Sequence, residues 1–230
     1  MLVFAVGDIH GCHNKLVHLL AQCRNYAAGR PHRFVFLGDY IDRGPDSRAV
    51  IELLIELEAA ADPPPIFLRG NHEQMLLDSL QNSTAELHWI LSSGGDTTLA
   101  SYGVSSAIEL PPAHLAFLQN TELSFDDGLR LFVHAGIHPD RPLSEQEPHG
   151  LLWIREPFLS SRKNFDRLIL HGHTPLRSGQ PDVQPNRVNL DTAAAYGGPL
   201  TAAAFVDDPD KPIEFIQSTD DLRRSHRPRR

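Results

Sequence analysis

The chain has 230 residues and a formal net charge of −8, with 41% apolar and 22% charged residues, which is the size of one α/β domain and the composition of an ordinary soluble globular protein. Five arginines in the last eight residues (Arg223, Arg224, Arg227, Arg229 and Arg230) mask a body at −13 over residues 1–222. A body so acidic argues against a nucleic-acid surface.

No apolar run approaches membrane-spanning length, and the N-terminus enters a charged turn by position 8. Neither a transmembrane helix nor a signal peptide is predicted, and a cytoplasmic location follows by default. Cys12 and Cys23 are the only cysteines. On one helix, at about 1.5 Å rise per residue, they stand too far apart for a disulfide and read as thiols in a reducing compartment.

In chain order, the apolar run Leu2-Val3-Phe4-Ala5-Val6 predicts a first strand. Leu16, Leu19, Leu20 and Cys23 then repeat at helical spacing until Gly29-Arg30-Pro31 breaks the pattern. Phe34-Val35-Phe36-Leu37 predicts a second strand, and Pro45-Asp46-Ser47 starts a helix through Val50, Leu53, Leu54 and Leu57 that Asp62-Pro63-Pro64-Pro65 closes. A third strand is expected at 66–69, with a helix from about 73 to 81 whose pattern opens at Gln74. Two successive βαβ units predict parallel strands.

Residues 83–125 read as a small helical insertion beside the site, too short to bury a core of their own. The remainder is strand-rich, at 130–134, 168–171, 187–190, 201–206 and 213–217, which predicts a second sheet packed on the first. The expected organisation is one domain over 1–222 and a basic, disordered tail over 223–230.

Polar turns follow the strands. Gly7-Asp8-Ile9-His10-Gly11, Gly38-Asp39-Tyr40-Ile41-Asp42-Arg43-Gly44 and Gly70-Asn71-His72-Glu73 come first, and later strands end in His134 and in His171-Gly172-His173. Such turns place carboxylates and imidazoles at the carboxyl edge of a sheet, where open α/β folds hold their chemistry. Asp8, His10, Asp39, Asn71, His134 and His173 offer hard and borderline donors that suit Mn²⁺, Fe²⁺ or Zn²⁺. Six ligands are too many for one open catalytic ion, but shared between two, with Asp39 bridging, they leave positions for water and substrate. Two divalent ions facing two carboxylates leave excess positive charge, which favours a phosphate dianion and a deprotonated water near neutral pH. Arg43 offers a planar fork to phosphate oxygens, Arg155 is a candidate for the opposite jaw, and His72, oriented by Asp42, is the best proton donor to a leaving alkoxide.

The three turns at 7–11, 38–44 and 70–73 resemble the signature of the phosphoprotein phosphatase family of metallophosphoesterases, in its bacterial and bacteriophage serine/threonine form. Gln74-Met75, His88-Trp89, Trp153 with Arg155 and Glu156, Gly172-His173-Thr174-Pro175 and Asp191-Thr192 also have counterparts there. The resemblance implies a calcineurin-like β-sandwich flanked by helices, a dinuclear centre active with Mn²⁺, and phosphoproteins as substrates of a monomeric enzyme. It makes Asp8 and His10 ligands of a first ion, Asp39 the bridge, and Asn71, His134 and His173 ligands of a second. His72 with Asp42 is then the proton donor, and Arg43 with Arg155 the phosphate clamp.

Two rival readings use the same scaffold: a symmetrical diadenosine tetraphosphate hydrolase, and a non-catalytic binding module. The first usually lacks a carboxylate where Asp42 stands and has Asp in place of Glu73, and the second predicts lost ligands. His171 is expected to pack, Glu73 to cap a helix, and Tyr40 and Tyr196 either to line the cleft or to pack. His88, His138 and His149 are expected to be structural or exposed.

Overall fold

In the computed structural model, which describes residues 1–206 and 214–218, the first strand β1 (Leu2–Val6) is buried along its whole length. Its side chains alternate between two cores, as the period of a strand requires. Leu2, Phe4 and Val6 face a helical layer, while Val3 and Ala5 face a second sheet across Leu170, Val188 and Leu190.

Helix α1 (His13–Ala27) buries Leu16, Leu19, Leu20 and Cys23 on one stripe and ends where Ala28 takes a left-handed conformation. Neither cysteine is in a disulfide. β2 (His32–Phe36), α2 (Ser47–Ala60) and β3 (Ile66–Phe67) follow, and β1, β2 and β3 run parallel. Helix α3 (Asn71–Ser79) begins three residues before the predicted opening at Gln74. The reason is Glu73, whose carboxylate accepts the Gly70 N–H and caps the helix from inside its own first turn.

Helices α4 (Ser83–Ser93), α5 (Gly95–Tyr102) and α6 (Pro112–Gln119) then pack on α2 and α3. The chain continues through β4 (Ser124–Asp126), β5 (Arg130–Val133), α7 (Pro148–Trp153), β6 (Leu168–His171), β7 (Asp182–Gln184), β8 (Arg187–Asn189), β9 (Leu200–Phe205) and β10 (Glu214–Ser218). The described strands form two five-stranded sheets, ordered β10-β9-β1-β2-β3 and β4-β5-β6-β8-β7.

The sheets sandwich a core of Val3, Ala5, Val35, Leu37, Phe132, Leu170 and Phe205. On the outer face of the second sheet, Leu131, Val133 and Ile169 meet Leu151 of α7 and Phe158. The fold is thus the mixed α/β sandwich expected, with two edge strands, β4 and β7, added. The basic tail at 223–230 and the expected boundary at 222 lie outside the described residues.

Candidate active site

The ends of β1, β2 and β3 from one sheet and of β5 and β6 from the other meet at one edge of the sandwich. Tight turns make this possible. Gly38 has φ +96, and a Cβ there would overlap the backbone of Gly70, so the second and third turns lie in direct contact. Five of the residues that carry the chemistry also sit at positive φ: His10 (46), Asp39 (52), Asp42 (71), Arg43 (67) and His173 (65). Such conformations cost on the order of 1–3 kcal/mol each outside glycine and persist where surroundings over-determine them. Glu73 does much of that fixing, accepting from the amides of Asp39 and Tyr40 at 2.8 Å besides that of Gly70. Burial, and next the charge of Asp39, push its carboxyl up to about 8.

Asp39 is the centre of the cluster. Its Oδ2 lies 3.3 Å from His10 Nε2 and 3.9 Å from His72 Nε2, and its Oδ1 3.4 Å from His134 Nε2. Donor atoms of His10, Asp39 and His72 lie within 4.8 Å of one another, as do those of Asp39, His134 and His173. One carboxylate is common to both triplets, as a bridge between two cations requires. Asn71 joins the second, with its Oδ1 2.9 Å from His134 Nε2 and 2.9 Å from His173 Nδ1.

The tautomers show that these donors fit a cation. His10 Nδ1 donates to the Ile41 carbonyl and His134 Nδ1 to the Leu37 carbonyl, each at 2.8 Å, which leaves the Nε2 lone pairs facing the cluster. The lone pair of His134 therefore confronts the lone pairs of Asn71 Oδ1 at 2.9 Å, an acceptor pair that repels unless a cation is shared between them. Burial keeps His134 below its ordinary pKa and drives His173 to about 3, so both rings stay neutral and able to ligate. Although burial opposes it, Asp39 is held well below the usual carboxylate range by His134, His72 and His10. His10 Nε2 meets the Arg43 guanidinium at 2.6 Å, where positive charge is again what the donors face.

Asp8 lies outside both triplets. Its Oδ2 accepts the His173 N–H at 3.0 Å, and its Oδ1 is buried with no hydrogen-bond partner among the described residues.

His72 is held differently from His10 and His134. Its Nδ1 lies 2.7 Å from Asp42 Oδ2, and both side chains are buried. Asp42 is saturated: Trp89 Nε1 donates to Oδ2 and Thr98 Oγ1 to Oδ1, each at 2.7 Å. The pair therefore holds the ring rigidly, with Nε2 turned toward Asp39. Trp89 and Thr98 have no assigned role in the sequence reading. The His88-Trp89 pair was visible as a motif, but nothing local ties α4 or α5 to Asp42.

Arg43, Asn71, His72 and His173 floor a cleft of about 990 Å³, and Arg155 lies on its wall with His88, His138, His149, Trp153 and Tyr196. His88 and His149 are exposed, as expected, and with the half-buried His138 they also line the cleft. Trp153 stacks on His149 with ring centroids 6.4 Å apart, and Arg43 lies over the Tyr196 ring at 5.5 Å. Tyr40 is not in the cleft: it is buried and its hydroxyl donates to the Leu68 carbonyl. His171 is buried against Phe158, a packing position.

A helix-flanked β-sandwich with a carboxylate, amide and imidazole cluster at one edge defines the class of metallophosphoesterases. The calcineurin-like phosphoesterase family model matches residues 1–209, and the chain belongs to that family. Family members use divalent metal ions, which the cluster fits. The chain is 35% identical over 211 residues to serine/threonine-protein phosphatase 1 of Salmonella typhimurium strain LT2, covering 87% of this chain and 90% of the relative. It is 27% identical to the asymmetrical bis(5'-nucleosyl)-tetraphosphatase PrpE of Anoxybacillus flavithermus, covering 89% and 91%. Among solved structures, a provisionally assigned diadenosine tetraphosphatase superposes with a TM-score of 0.70 at 23% identity, over 95% of this chain and 94% of the other. Among the described residues, no helix is long and apolar enough to cross a membrane.

Proposed function

We propose that the chain hydrolyses phosphoserine and phosphothreonine in proteins, with phosphotyrosine as a further substrate, acting as a monomer with two Mn²⁺ ions. The observation that carries this reading is the buried His72–Asp42 pair, 2.7 Å apart and braced by Trp89 and Thr98. A serine or threonine alkoxide needs a proton as the P–O bond breaks, whereas a nucleotide phosphate leaves without one. A device this rigidly held has its use in cleaving an alkyl monoester. The likeness to the Salmonella phosphatase supports the same reading.

In this scheme Asp8, His10, Asp39, Asn71, His134 and His173 hold the cations, which when bound supply the activated water and offset the phosphate charge. Arg43, half-buried at the floor, orients two phosphate oxygens through its guanidinium fork. Arg155, exposed on the wall, closes on the substrate from the opposite side. His72 Nε2 faces the centre and delivers the proton to the leaving oxygen, while Asp42 keeps the ring oriented.

A second reading, hydrolysis of bis(5'-nucleosyl) tetraphosphates, is favoured by the PrpE relatives and by the exposed rings of Trp153 and Tyr196 in the cleft, on which bases can stack. Comparing kcat/KM for a phosphoserine peptide and for diadenosine tetraphosphate, each with Mn²⁺, decides between them. The peptide is expected to be the better substrate. Preference for the dinucleotide by orders of magnitude would overturn the proposal.

A further inference from the structure

Asp191 lies two residues beyond the end of β8 and belongs to none of the groups assigned above. It is 2% exposed, and its Oδ2 has no hydrogen-bond partner among the described residues. Its Oδ1 accepts the Ala193 N–H at 3.1 Å, and its own N–H donates to Asn189 Oδ1 at 2.9 Å. A turn-forming role accounts for Oδ1 and leaves Oδ2 unexplained. A buried carboxylate oxygen without a donor is costly, and the cost needs a source of compensation.

The surroundings point to one. A Cβ on Gly7 would overlap the carbonyl of Leu190, so the backbones just before Asp8 and just before Asp191 touch. The Leu190 N–H also donates to the His171 carbonyl, and the Asp191 carbonyl accepts from Leu176, which fixes the loop between the ends of β6 and β8. Asp8 Oδ1 is the other carboxylate oxygen of the cluster that is buried and unpartnered. The turns that carry these two carboxylates are thus in backbone contact, and each carboxylate has one buried oxygen unsatisfied among the described residues.

We propose that Asp191 is a third anionic group of the first cation's site, neighbouring Asp8, and that its charge helps retain that cation. The inference rests on the two-cation reading of the centre. Asp8 and Asp39 alone leave two divalent ions undercompensated; a third carboxylate reduces the excess at the site that has His10 as its one neutral ligand. Without a cation, nothing among the described residues satisfies Asp8 Oδ1 or Asp191 Oδ2.

Asp191→Asn separates this role from turn formation, because the amide keeps an Oδ1 for the Ala193 N–H and removes only the charge. Metal-stripped wild type and variant are titrated with Mn²⁺ by calorimetry, and the Tm of each metal-stripped protein is measured. Wild type is expected to bind two ions. In the variant one of the two should bind about 10–100-fold more weakly, the range for losing a supporting group at a metal site, and the metal-stripped variant should have a Tm equal to or above that of wild type, because a buried amide costs less than a buried carboxylate with an unpartnered oxygen. Two ions bound with wild-type affinities, or a metal-stripped variant less stable than wild type, would overturn the proposal and leave Asp191 a turn residue. Wild type binding fewer than two ions would instead bring down the two-cation reading, and this inference with it.

Discussion

The floor and the rim of the cleft are built in opposite ways. At the floor, Asn71 and His72 are buried together with Asp39 and His134; Asp39 sits in a strained turn that Glu73 holds, Asp42 orients His72, and the Leu37 carbonyl orients His134. On the rim, His88, His149, Arg155 and Tyr196 are exposed and come from helices and loops that differ in origin. The contrast teaches that the reaction is set by elements the sandwich cannot move, while the choice of substrate is left to side chains that can change without disturbing the core. Floor substitutions should therefore lower turnover on every substrate. Rim substitutions should redistribute preference among substrates.

The largest effect is expected at the shared carboxylate. Asp39→Asn, or removal of metal by a chelator, should lower kcat/KM on all phosphoesters by more than about 10³-fold, beyond the usual loss of a single electrostatic group, and Mn²⁺ should restore only the chelated wild type. A variant retaining substantial turnover would show that the centre does not depend on Asp39. Next comes Arg43→Ala, which removes the phosphate fork at the floor; kcat should fall about 10²–10³-fold, measured under saturating p-nitrophenyl phosphate.

Trp89→Phe tests whether α4 belongs to the floor as well as to the rim. It deletes the N–H that Asp42 accepts and should cost about 1.5–3 kcal/mol, the worth of a hydrogen bond to a charged group, seen as at least about a tenfold loss of turnover on phosphoserine. Unchanged turnover would separate Asp42 orientation from that bond. The smallest effect is expected for Trp153→Ala on the rim, where KM should change several-fold and differently for a phosphopeptide and a dinucleotide, with kcat preserved; a uniform loss of kcat would place Trp153 with the floor.

The same division explains what could be read from the chain. The floor was legible because each turn is local: a strand, a glycine and then its donors within five or six residues, as in Gly38-Asp39-Tyr40-Ile41-Asp42. The central strands were legible from apolar runs buried on both sides, such as β1. The edge strands β4 and β7 were not, since Ser124–Asp126 and Asp182–Gln184 are three residues each, half-buried or exposed, and too short for their alternation to stand out. The start of α3 was misplaced because Asn71 and His72 read as loop chemistry, while a side chain beyond them, Glu73, caps the helix. Trp89 and Thr98 reach Asp42 across more than forty residues, and spacing along a chain carries no trace of such a contact. His138 and His149 belong to no motif because a rim needs only to be reached by the fold.

The measurement that bears most directly on the account compares leaving groups. His72→Asn removes the ring that faces Asp39 and is held by Asp42. Turnover on phosphoserine should fall by about 10²–10⁴-fold, the range for a lost general acid, while turnover on p-nitrophenyl phosphate, whose phenolate hardly needs a proton, should fall far less. Equal losses on both substrates would contradict the assignment of His72 as proton donor and, with it, the reason for preferring alkyl monoesters.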